Sequence, residues 1–149
     1  MKKISVAVDF SDVMPYVLDE AVKFAKPLEG TIYLVHVMET SPAYGMYGFS
    51  PEEIPMVGPS PAELNAAVKR KMEAISKVVR EKGVEVIEVI LEGNPLEELL
   101  HYVESNGMDL LVVGSHGHGI LASMLLGSVA DGAVRRSKIP VLVVPGKKK

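Results

Sequence analysis

Asp109-Leu110-Leu111-Val112-Val113-Gly114-Ser115-His116-Gly117 reads as a buried strand running straight into a glycine turn. Its apolar residues are nearly continuous rather than alternating, as expected of a parallel strand covered by helices on both faces. Three more runs, at residues 4–9, 31–38 and 141–144, share that character. A fifth, at 84–91, is interrupted by Glu85 and Glu88 and suits an edge strand with one wet side.

Helical patterns fill the gaps between these runs. After Ser11, read as an N-cap, Met14, Val17, Leu18, Ala21 and Ala25 recur at helical spacing until Gly30. Ser60-Pro61-Ala62-Glu63 is a capping box with proline at the first helical position. It opens a helix whose Leu64, Val68, Met72, Ile75 and Val79 form one apolar stripe, closing at Gly83. Asn94-Pro95-Leu96-Glu97 repeats that start, with Leu96, Leu99, Leu100 and Val103 inward before Gly107. The last helix spans 128–136, with Val129, Ala130, Ala133 and Val134 inward and two arginines in its final turn, where cations complement the helix dipole.

Strict alternation of strand and helix predicts an α/β fold: one open, parallel, five-stranded sheet with helices on both faces. No internal repeat is visible, and residues 1–149 read as one domain. Only the segment 39–59, rich in proline, glycine, tyrosine and methionine, breaks the alternation. A connection of that length is usually functional or mobile.

Composition narrows the function classes. A net charge of −3 and a pI near 5.8 give no electrostatic case for nucleic acid. The one basic run, Lys147-Lys148-Lys149, reads as a solvated tail. The absence of cysteine removes disulfide, thiolate–metal and thiol-nucleophile chemistry. No run approaches the ~18 apolar residues of a membrane span, and the N-terminus lacks the apolar core of a signal peptide. A cytoplasmic protein without membrane or nucleic-acid partners is the expectation.

Ligands of open α/β sheets lie beyond the carboxyl ends of the strands, where the strand order reverses. The stretch after Val113 is the informative one there. Gly114, Gly117 and Gly119 leave room for backbone N–H groups to approach an anion. The chain then returns at Gly127, Ser128 and Val129 to present the N–H groups of a helix start, where the dipole favours negative charge. Ser128 either adds a hydroxyl donor to a phosphate or caps its own helix. A Walker A sequence is absent. A dinucleotide site is disfavoured too, because its fingerprint wants an acidic residue at the end of the next strand to hold the ribose, and no carboxylate follows Asp131. The spacing therefore fits a mononucleotide.

Gly-x2-Gly-x9-Gly-Ser, filled by Gly114, Gly117, Gly127 and Ser128, resembles the ATP-binding motif of universal stress proteins. Ile4-Ser5-Val6-Ala7-Val8-Asp9-Phe10-Ser11, Leu34-Val35-His36-Val37, Gly93-Asn94-Pro95 and residues 137–145 are similar to that family's other landmarks, in order. The resemblance implies a sheet ordered 3-2-1-4-5 of the adenine nucleotide alpha hydrolase-like type. It implies ATP with Mg²⁺ and homodimers formed through the last strand, here Val141–Val144. It also implies that Asp9, beside Ala7, meets the ribose and that the backbone of Val37 meets the adenine edge. Gly114, Ser115, His116, Gly117, Gly127, Ser128 and Val129 would then surround the ribose and phosphates.

Two departures from the family pattern stand out. His118 occupies a place where many members carry Arg or Lys, leaving the phosphate end short of fixed charge. Ala7-Val8 precedes Asp9 where relatives often carry Pro or Thr. His36 and His101 read as structural or surface residues, and His116 with His118 make a poor metal pair, so Mg²⁺ is expected to be held through phosphates and water. A nucleotide-responsive regulator is the leading reading. A slow ATPase using Asp12, His116 or His118, and a nucleotide-free interaction or chaperone-like module, are the alternatives.

Overall fold

In the computed structural model, which describes residues 2–39, 61–116 and 126–146, strands and helices alternate without exception. They are β1 (Lys3–Ala7), α1 (Met14–Ala25), β2 (Thr31–Met38), α2 (Pro61–Glu81), β3 (Glu85–Glu92), α3 (Pro95–Ser105), β4 (Leu110–Gly114), α4 (Ser128–Arg136) and β5 (Val141–Val144). All four pairings are parallel and the order is β3-β2-β1-β4-β5, as expected. The interrupted run falls on the edge strand β3. The cap at Ser60, most of the 39–59 segment, Gly117, His118, Gly119 and the lysine tail lie outside the described residues.

The continuous apolar runs are explained by what covers each face. Ile4, Val6, Ile32 and Leu34 point to one side and meet Val17, Ala21, Met72 and Val79 of α1 and α2. Val35, Leu111 and Val113 point to the other and meet Leu99, Val103, Ala130 and Ala133 of α3 and α4. A strand dressed on both faces has no place for alternating polar residues.

Helix ends mostly follow their sequence signals. Asn94 caps α3, its Oδ1 accepting the Glu97 N–H at 3.0 Å, and Pro95 follows. Gly83 and Gly107 carry the chain out of α2 and α3 at φ of +86° and +62°, a region that penalises any Cβ. Asn94→Ala removes the acceptor that the Glu97 amide uses and is expected to cost about 1 kcal/mol. Chemical denaturation with an unchanged slope would show it; no loss of stability would mean the cap is dispensable.

Several expectations are corrected. β1 ends at Ala7, so Asp9 belongs to the following turn. Ser11 does not cap α1: Val13 holds the cap position without a side-chain bond, and the Ser11 carbonyl accepts the Met14 N–H at 3.1 Å. Leu64, in the first turn of α2, is 45% exposed rather than part of the inward stripe. Val134 is 53% exposed, while Gly132 is buried in its stead. Close helix packing is the reason: a Cβ on Gly132 would stand 2.2 Å from Leu96 Cδ2, so α4 lays its bare backbone on α3. Arg136 seals the pair with two bonds to Glu97, at 2.5 and 3.0 Å, and holds that carboxyl below its usual range. Both groups are exposed, so the pair orients the helices more than it stabilises them.

Candidate functional site

A cavity of about 920 Å³ opens over the carboxyl ends of the strands. β1 lies between β2 and β4 there, so the chain leaves β1 toward one side and returns on the other. That reversal opens a crevice in any doubly wound sheet. Ala7, Asp9, Val37, Gly114, His116, Gly127, Ser128 and Val129, eight of the residues expected from sequence, all line it. Of the remaining two, Gly117 lies outside the described residues and Ser115 stands behind the wall.

Ser115 is a tie. It is buried, its N–H donates to the Val144 carbonyl at 2.9 Å, and its own carbonyl accepts the Gly127 N–H at 2.7 Å. It thereby fastens the start of α4 to the end of β5. Its Oγ lies 2.9 Å from His116 Nδ1, while His116 Nε2 is buried with no hydrogen-bond partner among the described residues. A buried nitrogen left without a partner carries a desolvation cost that a ligand can remove.

The α4 start sharpens the anion argument. Gly127 occupies the N-cap position without a side-chain cap, so Ser128 is the first helical residue and does not cap its own helix. The Gly127 amide is already committed to Ser115 and is not available to a ligand, contrary to expectation. The amides that helix geometry leaves without an internal partner are those of Ser128, Val129 and Ala130, and all three residues line the cavity. Gly114 has a further reason to be glycine, since a Cβ there would meet Val17 Cγ2 at 3.2 Å and Val13 Cγ2 at 3.4 Å. Its bareness lets α1 pack on β4.

At the opposite end the cavity is bounded by the tips of β1 and β2. Asp9 Oδ1 accepts the Ser11 N–H at 2.9 Å, which fixes the carboxylate in the turn. Phe10 follows at φ +59°, an uncommon conformation for a bulky residue. Its ring lies 4.6 Å from that of His36, and Lys71 Nζ stands 5.4 Å over its centroid. Lys71 is the only Lys or Arg among the described lining residues. Sequence reading missed it because a charged residue on the outer side of a long helix carries no signal of where it reaches. Among the described residues no cluster of three metal-ligating side chains occurs, and no helix is long and apolar enough to cross a membrane.

Sheet order, two-faced core and rim cavity define an open, doubly wound α/β protein. The chain belongs to the universal stress protein family, whose profile matches residues 1–145. It is 31% identical over 155 residues to universal stress protein MJ0577 of Methanocaldococcus jannaschii, covering 98% of this chain and 96% of that one. It is 32% identical over 151 residues to universal stress protein YxiE of Bacillus subtilis, covering 95% and 97%. The solved structure of MJ0577 superposes with a TM-score of 0.81 over 99% of this chain and 98% of its own. A universal stress protein from Archaeoglobus fulgidus, solved in complex with dAMP, shares the fold at 22% identity, with a TM-score of 0.70 over 97% and 98% of the two chains.

Proposed function

We propose that this chain binds ATP in the rim cavity and acts as a nucleotide-responsive regulator of the stress-protein type. The observation that carries the reading is the trio of α4 amides at Ser128, Val129 and Ala130, without an acceptor among the described residues, opening onto the same cavity as Asp9 and Val37. An anion belongs at the first end and a nucleoside at the second. In this reading Asp9 accepts from the ribose hydroxyls and the Val37 backbone meets the adenine edge. Ala7, Gly114 and Ser115 shape and fasten the floor. Gly117, His116, Gly127, Ser128 and Val129 surround the phosphates, and Mg²⁺ is held through phosphate oxygens and water. The dAMP complex of the Archaeoglobus fulgidus relative supports an adenine nucleotide.

Residues 1–149 act here as one domain in the cytoplasm, as a homodimer. β5, the last strand of the sheet, offers Val141–Val144 as the pairing edge. The test is native mass spectrometry of the purified protein, expected to show a dimer carrying ATP. A nucleotide-free protein whose melting temperature is indifferent to added ATP would sink the proposal.

A further inference from the structure

The end of β2 holds a feature that the nucleotide reading does not by itself require. In a parallel ladder the N–H and C=O of alternate residues point to opposite sides. On β2 the even-numbered residues face β3, since the Met38 carbonyl accepts the Gly93 N–H at 2.9 Å. The odd-numbered ones face β1, since the Val35 carbonyl accepts the Val8 N–H at 2.8 Å. The next rung toward β1 would run from the Val37 N–H to the Val8 carbonyl. That rung is not made. Val8 O instead lies 2.7 Å from His36 Nδ1. A carbonyl can only accept, so Nδ1 carries the proton and donates it. The rung beyond is lost as well, because Phe10 has already turned to φ +59°. Its ring packs against the imidazole and keeps it in place.

We infer that His36 is a positioning residue: by occupying the Val8 carbonyl it stops the β1–β2 ladder one rung early and leaves the Val37 N–H and C=O open to the edge of a purine base. The inference rests on the nucleotide reading for the identity of the base. An adjacent donor and acceptor on one extended residue match the ring nitrogen and neighbouring amino group of adenine. Loss of the imidazole would let the ladder close, satisfying Val37 internally and removing the edge that the base needs.

Amide exchange followed by NMR tests this without ligand. In the nucleotide-free wild type, the Val37 amide is expected to exchange at least about tenfold faster than that of Val35, which lies one rung inside the ladder. Adenosine, which has no phosphate, should slow it. In His36→Leu the Val37 amide should be protected without adenosine, and adenosine should bind about tenfold more weakly. His36→Asn, whose side-chain amide places a donor where Nδ1 stands, should behave as the wild type. A Val37 amide as protected as that of Val35 in the free wild type overturns the inference even if no variant folds. Unchanged Val37 exchange in a folded His36→Leu overturns it too. Should the exchange pattern hold while neither adenosine nor ATP binds, the ladder argument stands and the nucleotide reading fails.

Discussion

Replacing Ser128 by aspartate is expected to abolish stabilisation by ATP while leaving the free protein as stable as before, or slightly more so. Ser128 is the first residue of α4 and is exposed. A carboxylate there complements the helix dipole and contributes about 0.3–1 kcal/mol. The same charge stands where the proposed phosphates would approach the amides of Val129 and Ala130, and like charges side by side cost several kcal/mol. With ATP at a hundred times its dissociation constant, the wild type gains about 2.7 kcal/mol, or about 5–10 °C for a chain of this size. In the variant that shift should vanish. Two opposite signs from one substitution are hard to produce by general damage. An ATP-induced shift retained in full by Ser128→Asp would put the phosphates somewhere other than the α4 start.

Leu111→Ala is expected to give the largest loss of stability, about 3 kcal/mol. Leu111 is 0% exposed, on a strand flanked by β1 and β5, and packs in the cluster that holds Leu99, Val103 and Ala133. Interiors relax only partly around a deleted side chain, so the void adds to the lost transfer energy. A fall in melting temperature of about 6–12 °C follows, measured by calorimetry or circular dichroism. A fall below about 3 °C would mean that α3 and α4 close over the gap, and that this face is looser than its burial implies.

The sheet was legible because burial on two faces leaves a blunt mark: four apolar runs, and a fifth broken by Glu85 and Glu88 that lands on the edge. Caps at Asn94 and glycines after α2 and α3 were legible for the same reason, since each carries out a local task that only a few side chains can perform. What escaped depends on neighbours distant in sequence. Val134 fits a helical period as an inward residue, yet the contact of Gly132 with Leu96 sets which way α4 faces. Serine before a helix reads as a cap, yet Ser11 stands two residues too early. Its place at a helix start marks the Gly127 amide as available, yet the Ser115 carbonyl holds it. His36 reads as structural or surface, and its bond to Val8 fits the first of these, but nothing in the strand pattern shows that the bond sits at the cavity's edge.

The central pairing of the sheet has a consequence for how the protein comes into being. β1 and β4 lie side by side, with Ile4 opposite Leu110, and Lys3 bonds Asp109 across 106 residues of sequence. A ribosome delivering the chain at about 5–20 residues per second releases β1 many seconds before its partner exists. During that interval β1 can pair only with β2, and its other flank, with Ser5 and Val6, stays open to any strand that passes. The floor of the cavity is therefore completed late in synthesis. Contacts this distant also predict slow folding.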